Sequence, residues 1–195
     1  RPVKFKFTDP VKGELYQPLV VIPPVLISPD ETVKITKDNN NFSGVLTLTG
    51  KKKGFQTFLN GVGKEHPDEV KVEYSPGKVV FDEKNKTIPV NYTIRANRDN
   101  LYFFAVDANN GRKDLYHVGM KEVKYDHIPF ITYFTITEVH NQKLDLKTYG
   151  KKIGYITGAG DKVPEALEQM GFEVVFLGNK ELSKNNLNQF DAIIT

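Results

Sequence analysis

Up to about residue 147 the chain is built from short runs in which every second residue is apolar. Val3, Phe5 and Phe7 alternate with lysines in VKFKF, and Ile88, Val90, Tyr92 and Ile94 alternate with Pro89, Asn91 and Thr93 in TIPVNYTIRA. Successive side chains on a strand point to opposite faces, so each run can bury one face and wet the other. The runs are separated by KDNNNFSG, KKKGF, SPGK, DEKNK and DANNGRK, whose Asn, Asp and Gly accept the backbone angles of tight turns. Asn109-Asn110-Gly111 is the clearest hairpin turn among them. The proline-rich entry at residues 16–29, YQPLVVIPPVLISP, cannot be a central strand, because proline lacks the N–H that a ladder needs, and it is expected along an edge. The pattern predicts a mainly β fold: about seven to nine strands in two packed antiparallel sheets, an immunoglobulin-like β-sandwich over residues 1–147.

From residue 148 the texture changes. KIGYIT is a compact apolar strand, and after it Val163, Ala166, Leu167 and Met170 fall on one stripe of a helix that should face a core. Pro164 suits the first helical turn, Asp161 a cap before it, and Gly171 the exit. FEVVFL reads as a second strand buried on both faces, a helical turn follows in ELSKNNLNQF, and DAIIT is a third strand. This β-α-β-α-β order opens a doubly wound, flavodoxin-like α/β domain over residues 148–195. So short a unit cannot close a core alone and must lean on the sandwich or on a partner chain.

Charge alters this picture little. The 27 basic and 24 acidic residues are spread along the chain for a net charge of +3, which is no dedicated nucleic-acid surface. Lys51 to Lys53 form the densest basic run and suit a solvated hairpin tip. The absence of cysteine excludes disulfides, thiol catalysis and thiolate zinc sites together. No apolar run reaches the length of a membrane span, and no signal peptide is visible. Arg1 stands where a methionine would open a chain, and FDAIIT ends it on an apolar run, so both ends are expected to be cuts through a longer protein.

The stretch that looks built for chemistry is TGAGDKVP. A loop between a parallel strand and a helix start aims backbone amides outward, which is a general anion site. The dinucleotide fingerprint would need a glycine where Val163 stands and an acid where Gly178 and Asn179 stand, and Asp161 would repel a phosphate. A tight strand-to-helix turn accounts for the glycines. A carboxylate or sugar-like ligand stays open in the same crevice, with Gly158, Gly160 and Asp161 as its candidate binding residues, and so does the alternative that this loop is part of an active site completed by further strands of a longer parent. Glu65, His66, Asp68 and Glu69 invite a metal reading, but they stand in an apparent loop with no converging partner. His117, His127 and His140 show no paired spacing, Asp126 and His127 would face opposite ways, and Ser28, Ser43, Ser75 and Ser183 lie in polar or proline-flanked loops. No catalytic and no metal-binding residue is assigned. The rings of LYFFAV and FITYFTI are either sandwich core or an exposed row able to stack on sugars, which would make the chain a carbohydrate-binding module.

YDHIPFITYF, followed by GKKIGYITGAGDKVPEALEQMGFEVVFL and FDAIIT, resembles the middle and later part of large bacterial proteins of the LmbE-like, or PIG-L-type, deacetylase group. The specific part of the resemblance runs from about residue 125 to 195, with weaker support from VVIPPVLISP. Such proteins begin with a zinc-dependent N-acetylglucosaminyl deacetylase domain, continue through β-sandwich material and end in a domain similar to class I glutamine amidotransferases. The resemblance implies a periplasmic or extracellular, non-catalytic accessory region. Its partners would be the parent's own deacetylase and the remaining amidotransferase-like segments, with glycan as a further ligand, and with no nucleic acid and no membrane span. It implies no cofactor in this region, zinc belonging to the deacetylase domain. The group's His-Pro-Asp-Asp metal motif is not matched by His66-Pro67-Asp68-Glu69, so no zinc ligand is carried over.

Overall fold

The computed structural model describes residues 3–36, 41–63, 70–95, 100–108, 114–125, 127–158, 160–184 and 187–195. The chain opens with a hairpin of β1 (Lys4–Asp9) and β2 (Gly13–Pro18), with Lys4 opposite Pro18 and Asp9 opposite Gly13. Asp9 closes the turn by accepting the N–H groups of Val11 and Lys12, both at 2.8 Å. These two bonds hold its carboxyl below the ordinary carboxylate range. VKFKF does alternate here, but it buries neither face: Val3, Phe5 and Phe7 are all exposed, Phe5 at 46%, on a sheet of only two strands.

The following strands are β3 (Val25–Pro29), β4 (Val33–Thr36), β5 (Asn41–Gly50), β6 (Phe55–Gly63), β7 (Lys71–Ser75), β8 (Lys78–Phe81) and β9 (Thr87–Arg95). They continue with β10 (Asn100–Ala108), β11 (Leu115–Tyr116), β12 (Val118–Val123), β13 (Ile131–Ile136) and β14 (Glu138–Lys143). One sheet has the order β3-β5-β9-β7; the other runs β4-β14-β10-β6-β8, with β11 paired to β10. Between them lies a continuous core. Leu46, Leu48, Val90, Tyr92 and Ile94 enter from the first sheet, and Val79, Phe81 and Val139 from the second. The period-2 run of β9 does what its pattern predicts, with Val90, Tyr92 and Ile94 all buried.

The fold is thus mainly β and sandwich-like, with two departures from the expected layout. Fourteen strands precede residue 147 among the described residues, where seven to nine were expected: ten form the two layers, and two hairpins, β1-β2 and β12-β13, stand outside them. The second sheet is also not wholly antiparallel, since β4 runs parallel to β14. The proline-bounded β3 is an edge strand, as its composition requires. Its Val25 and Ile27 are nonetheless buried in the core between the sheets, Leu26 is buried as well, and β12 packs against the strand. Thr137 donates its hydroxyl to the Ile27 carbonyl at 3.0 Å, and a β-carbon on Gly119 would stand 2.9 Å from that same oxygen.

The last unit comprises β15 (Lys152–Tyr155), α1 (Val163–Gln169), β16 (Glu173–Phe176), α2 (Asn179–Lys184), a 3-10 turn at Leu187–Gln189 and β17 (Ala192–Ile194). Its three strands are parallel in the order β16-β15-β17. Asp191 fastens the entrance by accepting the N–H groups of Lys151 at 2.6 Å and Lys152 at 2.9 Å, which lowers its carboxyl pKa. α1 ends as predicted at Gly171, whose φ of +90° is open to glycine. Gly171 N–H bonds the Glu168 carbonyl and Phe172 N–H bonds that of Leu167, the paired closure of a Schellman motif.

The helix stripe fares less well. Val163 and Ala166 are exposed, Leu167 and Met170 are half-buried, and Pro164 is the buried residue of the helix. FEVVFL is likewise not buried on both faces, for β16 is an edge strand and Phe176 is 55% exposed. Three short strands and two helices of seven and six residues have too little breadth to cover either surface. What the unit does bury is Ile153, Tyr155 and Leu177.

Candidate functional site

Tyr155 ends β15, and α1 opens at Val163. The turn uses a φ of +80° at Gly160, a conformation strained for any residue with a β-carbon. Asp161 was expected to cap the helix, but the cap position falls on Lys162, which makes no side-chain cap bond. One residue earlier, the Asp161 Oδ1 accepts both the Tyr155 hydroxyl at 2.6 Å and the Val163 N–H at 3.3 Å. The carboxylate therefore ties the end of the strand to the start of the helix. That hydrogen bond raises the Tyr155 phenol above its ordinary value, helped by desolvation and by the negative charges of Asp161 and Glu165.

A cleft of about 290 Å³ opens at this corner, with Gly158, Gly160 and Asp161 in its wall beside Tyr155 and Phe176. The two rings meet edge to face, with centroids 5.9 Å apart. The structure therefore brings the three sequence-selected residues together. Glu165 and Glu168 join Asp161 in the lining, so the cleft is acidic and electrostatically opposed to phosphate. It combines a neutral phenol, a carboxylate already engaged in the fold and one ring face.

The remaining candidates are dispersed. His127 lies against the Tyr125 ring at 5.8 Å, His140 sits in β14, and the His117 carbonyl accepts the Thr137 N–H. No group of three His, Asp or Glu side chains able to hold a metal occurs among the described residues. The hairpin turn at Asn109–Gly111, the Glu65–Glu69 run and Asp126 lie outside those residues, as do the side chains of LYFFAV. No helix among the described residues is long and apolar enough to cross a membrane.

A second hollow was not anticipated. Phe7, Tyr16 and Gln17 of the first hairpin face Tyr125 and Phe130 across a groove of about 360 Å³. The Lys124 ammonium lies 4.7 Å from the centre of the Phe130 ring and 3.1 Å from Glu122. Within FITYFTI itself, Tyr133 and Phe134 fall on opposite faces of β13 and both are exposed, so that segment is neither pure core nor a single row of rings. The groove joins residues more than a hundred positions apart, which no local spacing could reveal.

No family model matches the chain, and no curated protein matches it. Among solved structures it is similar to domains 4 and 5 of the S-layer protein SbsC, with a TM-score of 0.33 and 9% identity over 72% of this chain and 66% of that one. A likeness at that level carries nothing about function.

Proposed function

We propose that this chain is a non-catalytic accessory region of an exported protein of the N-acetylglucosaminyl deacetylase type, where it holds neighbouring domains in position and helps retain glycan. The observation that carries this reading is the uncovered apolar surface of the parallel unit. Phe176 at 55% and Ile193 at 41% exposure stand on a three-stranded sheet whose two outer strands have no partner on their far sides among the described residues. Such a surface suits a unit that works packed against further structure. The ring-lined groove at Phe7, Tyr16, Tyr125 and Phe130 supports the glycan-retaining part, since sugar rings stack on aromatic faces. Zinc chemistry in this reading belongs to the parent's deacetylase domain.

The test deletes residues 1–195 from the full-length parent and assays deacetylation of polymeric and of short soluble N-acetylglucosamine substrates. Activity on polymer is expected to fall several-fold while activity on the short oligomer persists. Equal abolition of both, with the deacetylase domain still folded, would place chemistry in this region and refute the accessory role.

A further inference from the structure

We propose that Gln169 is a latch that fixes the α/β unit on the open edge of β4, and that releasing it lets the unit swing as a body about the linker at 144–151. β4 is the outermost strand of the six-stranded sheet, paired to β14 on one side and with no strand on the other among the described residues. An open edge presents backbone N–H and C=O groups that require partners. Gln169, at the last position of α1, supplies them from a side chain. Its Oε1 accepts the Ile35 N–H at 2.8 Å, and its Nε2 donates to the Val33 carbonyl at 3.5 Å and to the Glu31 carboxylate at 3.0 Å. Bonding the carbonyl of one residue and the N–H of the residue two further on is what a residue of a parallel neighbouring strand does. The glutamine amide thus stands in for a strand, straddling Lys34.

The receiving side is itself held in place. Lys34 pairs with Glu31 at 2.5 Å and with Asp30 at 3.3 Å, and is largely shielded from water. The rest of the contact is open: a gap of about 330 Å³ separates α1 from β4, lined by Val33, Ile35, Glu165 and Ala166. A polar tether beside an unfilled gap resists separation far less than a packed apolar seam, and domains so joined move relative to one another. Orientation of the α/β unit therefore rests heavily on one side chain.

The chain has no cysteine, so Lys84→Cys and Lys180→Cys place unique spin labels on the sandwich and on the α/β unit of the whole chain. With Gln169 intact, the label-to-label distance distribution is expected to be single and narrow. In Gln169→Ala it should broaden, and exchange of the Ile35 amide should quicken about fivefold or more, as loss of a hydrogen bond of ordinary strength implies. Gln169→Glu keeps the acceptor but sets a second carboxylate against Glu31, and should broaden the distribution further. The Leu46 amide in the sandwich should stay as protected as before. A broad distribution in the parent chain, or an unchanged distribution and unchanged Ile35 exchange in Gln169→Ala, would overturn the latch. Loss of Leu46 protection in Gln169→Ala would overturn it too, by showing that the side chain supports the sandwich rather than the angle.

Discussion

The sandwich and the parallel unit are made of similar apolar strands and treat them differently. Between the two large sheets Leu46, Leu48, Val90 and Ile94 lose all access to water, each strand face being met by another face. In the parallel unit a single three-stranded layer meets one seven-residue helix, so Ile153, Tyr155 and Leu177 are covered while Val163, Phe176 and Ile193 are not. Burial of apolar area is the chief favourable term in folding. The sandwich therefore carries its own stability, and the parallel unit borrows part of its order. Gln169 fixes its orientation on the edge of β4, and Asp191 closes its own entrance at β15. Local hydrogen bonds at a boundary can order a layer that packing alone would leave marginal.

The largest expected effect breaks this comparison in one direction only. Leu46→Ala should cost about 2 to 5 kcal/mol, the usual range for such a truncation in a closed core. Both units should lose structure together, because the parallel layer has lost its support. Ile153→Ala should loosen only the parallel unit and leave a protease-resistant sandwich. Denaturant titration combined with limited proteolysis reads both outcomes. Equal and complete unfolding by the two variants would mean one cooperative body rather than a core and a dependant.

Acid should give a smaller contrast. The N–H groups of Lys151 and Lys152 hold the folded Asp191 carboxyl below its ordinary value of 3.8, so its contribution is present above that value. It is lost as pH falls through 3.8 towards the lower folded pKa. Amides of β15 should begin to exchange faster in that window, and Asp191→Asn should weaken the pH dependence there. Asp82 is lowered in the same way by its bond to Lys86, but it lies in the turn after β8, so its loss should register in the sandwich instead. An acid response of β15 that is identical with and without the Asp191 carboxylate would assign the entrance bonds no role.

The same contrast governs how much could be read from the sequence. The alternation of Ile88 to Ile94 specified a buried strand face because a second sheet was there to meet it, and Gly171 specified the helix exit because its φ is set locally. VKFKF carries an equally regular pattern and remains exposed, since alternation records which face could be buried and not whether anything covers it. The parallel pairing of β4 with β14 has no local trace either, as it depends on two strands about a hundred residues apart. At the candidate site, the turn at Gly158, Gly160 and Asp161 was legible from residue type, whereas the bond from Tyr155 to Asp161 needed the geometry. Gln169 left no sign in the sequence, because nothing in a glutamine on a helix names a partner more than a hundred residues away.

Residue-resolved native-state hydrogen exchange tests the division most directly. Amides of β5 and β9 should exchange only through global unfolding, while those of β15, β16 and β17 should form a separate tier that opens at lower free energy and with a smaller denaturant dependence. A single tier, in which the three parallel strands share the protection and the denaturant dependence of β5 and β9, would contradict the account.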